Sequence, residues 1–332
     1  MNSLHLPVIT VSEQKTFHRC QREHLYAYRL GVRPLPVLDP LRVSALVHAG
    51  VRAWWVAAGK NLPREEWLRA AHARIATFQE DPFDHVRAEE LLTGYDARWS
   101  DPSINLLGVQ VTFDMPLLNP ATGAASRTYR AGGTISALIR TVDGAVYVVE
   151  HRTSSEDVSP GSDYWRRLRL DAKVSTLFAG ARTLGHEVTG CLYDVIGRVR
   201  LQPYEATAPE ARKYKKDGTL YANQRDQAET REEFRLRVRE HIAANPERYF
   251  VRDVVARTDE DERDAAFDMW QTARSIADAE RMQRFPRNDQ ACVRWGRTCP
   301  YFAVCSREAS LDDVSLYRRS SDAPEAHGGE AA

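Results

Sequence analysis

The 332-residue chain has no excess of charge of either sign: 46 Lys and Arg face 46 Asp and Glu, a formal net charge of zero. It also lacks any stretch of the roughly 18–20 uncharged apolar residues that a membrane span requires, and it carries only 4 Met and 5 Cys. The opening residues MNSLHLPVITVSEQK hold neither a basic leader nor a long apolar run, so the expectation is an intracellular, cytoplasmic protein rather than a secreted one. With 28% charged and 43% hydrophobic residues, the composition excludes disordered, collagen-like and disulfide-stapled classes. It leaves a globular chain with ample apolar material for a core. Neutrality over the whole chain does not advertise a nucleic-acid binder, although it can hide a local basic groove.

The few cysteines are unevenly placed. Cys20 lies near the start, Cys191 in the middle, and Cys292, Cys299 and Cys305 fall within CVRWGRTCPYFAVC. Three thiols this close in an intracellular chain point to metal ligation more than to disulfides. Cys20, in TFHRCQREHLYAYRL, is the natural fourth ligand, whereas Cys191 in GCLYDVI reads as a buried strand residue. Free core thiols are the plain alternative, disfavoured by the Arg, Gly and Pro around Cys299. Four thiolates suit Zn or a 4Fe–4S cluster equally, and spacing does not choose between them.

Hydrophobic periodicity organises the rest. Residues 12–30 read as a helix, with Ser12 as cap and Phe17, Leu25, Tyr26 and Leu30 at helical spacing. After the connector RPLPVLDP comes a buried helix, ALVHAGVRAWWVAAG, carrying His48, and helical periodicity continues over 64–96. From about residue 105 the pattern changes to short alternating segments, LLGVQVTFDMPL, RTYRAGGTISALIRT and AVYVVEHRT. Asn-Pro, Thr-Gly and Asp143-Gly144 turn signals separate them, as in a β-meander. A helix follows over YWRRLRLDAKVSTLFAGARTLG, with Leu168, Val174, Leu177 and Phe178 on one side and Gly185 at its end. EVTGCLYDVIG is a further strand; 207–233 is basic and turn-rich; 231–245 and 259–284 are charged helices; the tail SSDAPEAHGGEAA is expected to be disordered. The expected organisation is a helical region 1–104, a core 105–204, a basic loop and helical extension 205–285, a cysteine clasp 286–318 and a tail 319–332. The fold class is mixed α/β, a sheet flanked by helices.

The succession of β-hairpin, Glu-x-basic-Thr, helix and strand resembles the PD-(D/E)XK nuclease superfamily. More narrowly it resembles the RecB-type, CRISPR-associated branch with an iron–sulfur clasp. The resemblance covers nearly the whole chain: Cys20, His48 in ALVHA, GGTISALI, VVEHRTSS, YWRRLRLDAKVSTLF, GCLYDVI and the final cysteine triplet. It implies a restriction-endonuclease-like core sheet flanked by helices, and a 4Fe–4S cluster on Cys20, Cys292, Cys299 and Cys305. It further implies a metal site in which a His, a strand Asp and a Glu or Asp on the next strand hold Mg2+ or Mn2+. A Lys two residues after the second acid, and a Gln and Tyr four residues apart on the next helix, would complete it. Such a site hydrolyses phosphodiesters because the metal polarises the phosphoryl oxygen and supplies hydroxide near neutral pH.

His48 and Glu150 match that pattern as metal ligands. Ser136 stands where the resemblance expects Asp, Arg152 where it expects Lys, and Lys173 and Leu177 where it expects Gln and Tyr. A serine hydroxyl does not replace a hard anionic ligand. Arginine keeps its charge but is never a base near neutrality. Over the four positions 136, 150, 152 and 173, the formal charge runs from −1 in the family pattern to +1 here. The expectation is that Arg152 and Lys173 fill the metal's place and pair with Glu150. Such a pair could also be a packing leftover, and His48 and Lys173 read alone are ordinary core and surface residues; of the nearby acids, Glu156 and Asp157 could fold back to supply a displaced ligand, whereas Asp143 should point away in its turn and Asp171 should face elsewhere.

Basic residues cluster in Arg166, Arg167 and Arg169, in Arg198 and Arg200, and in Arg212, Lys213, Lys215, Lys216 and Arg225, the last run interleaved with Tyr214 and Tyr221. Cations among aromatics suit single-stranded nucleic acid, although a solvated loop has the same composition. Three functions follow. One is a metal-dependent DNA nuclease. Another is an inactive relative that binds DNA strands or ends beside a helicase or other DNA-processing partner. The last is a module for protein contacts alone.

Overall fold

The computed structural model describes residues 6–35, 39–60, 62–99, 105–294 and 296–320; the tail from 321 on and residues 36–38 of the RPLPVLDP connector lie outside them. Strand β1 (Val8–Ile9) leads into α1 (Val11–Arg19), and α2 (Gln21–His24) runs into a wide π-helical turn over Leu25–Arg29. The helix expected over 12–30 is therefore broken, because Cys20 is extended between its two halves. Its cap is Thr10, whose hydroxyl accepts from the Glu13 N–H at 3.2 Å. Ser12 lies one turn too late to cap and instead offers its carbonyl to Thr16.

Strand β2 (Val32–Pro34) precedes three helices, α3 (Asp39–Gly59), α4 (Arg64–Ile75) and α5 (Pro82–Arg98). Then come the meander strands β3 (Asn105–Leu118), β4 (Ala125–Arg140) and β5 (Val146–Ser154). The single helix expected over 164–185 is two, α6 (Asp163–Leu168) and α7 (Ala172–Thr183). The break falls where the Asp171 carboxylate caps α7 by accepting from the Lys173 N–H at 2.9 Å. Arg257 braces it by donating to the carbonyls of Leu168 and Asp171. Strand β6 (Gly190–Gly197) is followed by α8 (Arg231–Ala243), α9 (Pro246–Tyr249), β7 (Phe250–Val255) and α10 (Asp259–Met282). The cysteine segment adds β8 (Val293–Arg294), β9 (Arg297–Thr298), α11 (Phe302–Ser306) and β10 (Tyr317–Arg319).

The six-stranded sheet runs β1-β4-β5-β6-β7, with β3 on the other edge of β4. It reaches beyond the expected 105–204 core at both ends, through β1 and β7. Beta-5 and β6 are parallel, joined through α6 and α7, and β7 is antiparallel to β6. One face packs on α3, α5 and α8 around Trp54, Trp55, Leu91, Tyr95 and Phe234; the other packs on α7 around Val148, Val174, Leu177 and Phe178. Gly180 sets the spacing of α7, since a Cβ there would come within 2.5 Å of the Phe113 ring on β3. Among the described residues, no helix is long and apolar enough to cross a membrane.

Candidate active site and cysteine segment

The site lies in a fork. Beta-4 pairs with β5 only from Ala137↔Val149 to Arg140↔Val146, while β1 takes the same edge of β4 at Arg130 and Ala131. Residues 132–136 of β4 are left open between those partners. Ser136 and Glu150 are the first residues past the last β4–β5 pair, and the period-two pleat turns Glu150 to the α7 face. There Glu150, 2% exposed, is enclosed by partners. The Lys173 ammonium donates to its Oε1, the Arg152 Nε lies 3.2 Å from the same oxygen, and the Ser136 hydroxyl is 3.4 Å from Oε2. Arg152 also donates to the Tyr193 hydroxyl at 3.2 Å, and Tyr164, Trp165 and Tyr193 pack edge to face beside it.

Burial opposes the charge on Glu150, but the Lys173 and Arg152 cations outweigh it and hold the carboxyl below its ordinary value. Burial likewise opposes the Arg152 cation, and Glu150 outweighs it, so Arg152 is a still weaker acid than a free arginine. Lys173 is pressed below the usual lysine value by burial, with the like charge of Arg152 adding to it against the pull of Glu150. Glu150, Arg152 and Lys173 thus form an ion triad in which the one carboxylate is shared by two cations.

The other carboxylates named from the sequence are engaged elsewhere. Asp171 caps α7 and meets Lys15 at 3.2 Å. Glu156 pairs with Arg167, Asp157 accepts from the Ser159 N–H, and Asp143 sits in the exposed hairpin turn. His48 is half-buried on α3, and Leu177 is core. Among the described residues, no three His, Cys, Asp or Glu side chains are arranged to hold a metal ion. A divalent cation does not fit this centre, because both Glu150 oxygens already face donors and a neutral hydroxyl stands in for the second acid.

A second network lies on the opposite face of the sheet. His151, Asp194 and Arg252 stand side by side on β5, β6 and β7. His151 Nδ1 is 3.0 Å from Asp194 Oδ2, Arg252 Nε is 3.1 Å from Oδ1, and the Tyr95 hydroxyl donates to Oδ2 at 2.6 Å. Trp55 donates to the Tyr95 oxygen at 2.8 Å, and the Arg252 guanidinium lies 4.1 Å from the centre of the Trp99 ring. Sequence reading missed this cluster. The available signal was Asp194 inside the apolar run CLYDVIG, since a carboxylate in a buried strand needs a cation beside it.

The cysteine segment meets the N-terminal segment as expected. Beta-2 pairs with β10, Tyr301 donates to the Val32 carbonyl at 2.8 Å, and Asn288 donates to the Arg19 carbonyl at 2.8 Å. Cys191 is fully buried in the strand core, apart from the other four thiols. Burial pushes the Cys299 thiol up to about 11, with Glu23, Cys20 and Cys305 adding to it. Cys305 is raised by burial and then by Cys20 and Cys292. The thiols act on one another's charge, but among the described residues they too are not arranged as a group that holds a metal ion; only their donor type is that of a four-thiolate site.

The basic residues divide. Arg166 and Arg167 pair with Asp163 and Glu156, and Arg169 is exposed close to Asp261. Arg212 and Arg225 brace their own loop, through the Thr207 and Asp226 carbonyls and through Glu233. Lys213, Tyr214, Lys215 and Lys216 are exposed on a small hairpin closed by the Tyr214↔Leu220 bridge and by the Lys215 N–H on the Thr219 carbonyl.

A mixed sheet with an acid in the fork between two strands and a helix-borne residue facing it is the architecture of a nuclease-type α/β core. The chain belongs to the PD-(D/E)XK nuclease superfamily, whose family model matches residues 8–306. Among solved structures it is similar to one called Putative exonuclease from Eubacterium rectale, with 11% identity, 86% of this chain and 85% of that one covered, and a TM-score of 0.44. It is also similar to SSO0001, with 13% identity, 70% and 84% covered, and a TM-score of 0.22. Comparison with curated proteins gives no match.

Proposed function

We propose that this protein is a RecB-type member of the superfamily that has exchanged its metal site for an ion triad and binds DNA without cutting it by the metal-dependent route. The observation that carries the reading is the position of the Lys173 ammonium on Glu150 Oε1, with Arg152 beside the same oxygen. Those cations occupy the side of the carboxylate from which a divalent ion would be held. Counting Glu150, Arg152 and Lys173 alone, the triad has net charge +1; Asp171, paired with Lys15, is a further carboxylate acting on both cations. Such a centre repels Mg2+ and Mn2+ and attracts phosphate.

The exposed cationic hairpin at Lys213, Lys215 and Lys216, with Tyr214 58% exposed among them, supplies the chemistry for tracking a single strand: ammonium groups for the backbone and a ring for bases. Cys20, Cys292, Cys299 and Cys305 would hold a 4Fe–4S cluster. That cluster would act structurally, fixing the C-terminal segment to the N-terminal one, where β2 and β10 already pair. In that role its partner would be a helicase or another DNA-processing protein.

The test is incubation of the purified protein with labelled single- and double-stranded DNA in Mg2+ or Mn2+, alongside a gel-shift series in rising salt. The expected result is a salt-sensitive shift without cleavage. Metal-dependent digestion that disappears in Glu150→Ala would overturn the reading, and so would the lack of any shift at the lowest salt.

A further inference from the structure

The ion triad is not evenly wrapped. The Glu150 side chain is 3% exposed, that of Arg152 12% and that of Lys173 21%, so the carboxylate lies innermost and the cations outermost. Arginine is a donor at every nitrogen and accepts nothing. Arg152 directs its Nε at Glu150 and at the Tyr193 hydroxyl, each 3.2 Å away, and among the described residues its outer Nη groups meet no acceptor. An anion can therefore join Arg152 and Lys173 from outside while Glu150 keeps its place. On the Arg152 side the wall is aromatic. Tyr193, whose hydroxyl takes the Arg152 bond, is buried on β6. Tyr164 and Trp165 are half-buried on α6, their rings 6.4 and 6.3 Å from the Tyr193 ring and 5.5 Å from each other. All of these contacts are edge to face, so none of the rings is stacked on another. Tyr164 differs from its neighbours. Tyr193 accepts from Arg152 and Trp165 donates to the Val158 carbonyl at 2.8 Å, whereas the Tyr164 hydroxyl meets no partner among the described residues.

Outward-facing cations beside unstacked aromatic rings are the chemistry of a subsite for one nucleotide, with the cations for its phosphate and a ring for its base. We infer that Tyr164 is a specificity-determining residue. It stacks the base of a nucleotide whose phosphate rests on Arg152 and Lys173, and so selects unpaired strands, because a duplex holds each base in its own stack until unpairing energy is supplied. The inference rests on the DNA-binding reading above. It adds to that reading a preference set at the triad itself, apart from the exposed hairpin that carries Lys213, Lys215 and Lys216.

The experiment uses the full chain and fluorescence anisotropy. The labelled probes are a single-stranded oligonucleotide, the same strand built from base-free tetrahydrofuran residues, and the duplex. Each is titrated with the parent, Tyr164→Leu and Tyr164→Phe. The quantity read is the ratio of affinities for the normal and base-free strands within one protein, so any loss of folded material cancels. The parent is expected to prefer the normal strand, and to bind it more tightly than the duplex. Tyr164→Leu should shrink both preferences, the first by about tenfold for the loss of one stacked base, whereas Tyr164→Phe keeps the ring and should keep them. Equal ratios in the parent and Tyr164→Leu would overturn the role of Tyr164 while DNA binding stands. Binding of none of the probes by the parent would overturn the DNA-binding reading, and this inference with it.

Discussion

The Lys173 ammonium rests on Oε1 of Glu150. The contact joins the first turn of α7 to the first residue of β5 beyond its pairing with β4. The buried Glu150 carboxylate is thus a partner in an ion pair. Breaking one side of a buried pair leaves an uncompensated charge. Lys173→Met is expected to lose about 2 kcal/mol of stability, less than the roughly 3–5 kcal/mol of an isolated buried pair, because Arg152 still faces Glu150 and the lysine side chain keeps 21% exposure. Glu150→Gln combined with Lys173→Met should lose less than the sum of the single changes, since Glu150→Gln alone strands both cations and the double change strands only Arg152. Urea denaturation of the four proteins measures the coupling; additive losses would contradict the ion triad.

Mn2+ affinity reports on the same centre from outside. Calorimetric titration of the parent is expected to show no stoichiometric binding. Ser136→Asp/Arg152→Lys/Lys173→Gln restores a second acid and removes the cation from Glu150, so it should bind Mn2+. Tight binding by the parent, abolished by Glu150→Ala, is the contrary result.

Acid should unfold the protein through its buried carboxylates. Burial opposes the charge on Asp194, and Arg252 and His151 outweigh it, so its pKa in the fold lies below the value in the unfolded chain; Glu150 is lowered in the same direction. A lowered carboxylate contributes stability that is complete above the unfolded pKa, about 4, and lost as pH falls through the folded value. Stability should be flat above pH ~5 and decline below pH ~4. Asp194→Asn should be less stable near neutrality and show a shallower acid limb, read from urea midpoints across pH. An acid limb as steep as the parent's would show that other groups drive the transition.

Iron is expected to copurify through Cys20, Cys292, Cys299 and Cys305 when the protein is prepared without oxygen. Chemical assay of iron and sulfide, with visible absorbance, should give a cluster in the parent and its loss in Cys299→Ser. Cys191→Ser serves as the control, because that thiol is buried in the strand core away from the others. Stoichiometric zinc without sulfide would replace the iron–sulfur proposal.

Much of the strand pattern was legible because burial on a sheet imposes alternation. GGTISALI and VVEHRTSS place Ser136 and Glu150 one residue beyond a paired run, and the Asp143-Gly144 turn joins the two strands as its dipeptide suggests. The split between α6 and α7 was not legible. Apolar positions continue across it at helical spacing, and only the Asp171 cap and the Arg257 brace from a distant loop stop the helix. Thr10 displaced Ser12 as a cap for a similar reason: both side chains suit the role, and the pairing of β1 with β4 decides where the first turn begins. Asp194 was read merely as part of a strand, since its partners arrive from β5, β7 and α5.

The sequence by itself determined the chemical inventory: one acid where two are expected, Arg152 and Lys173 in place of Lys and Gln, and thiols concentrated at the two ends of the chain. Only the tertiary structure decided which oxygen Lys173 takes and which carboxylates are already paired. Residue type and local periodicity are properties of neighbours in the chain. Charge pairing acts through space: the triad joins residues 23 apart, and the Asp194 network joins residues 43 to 99 apart.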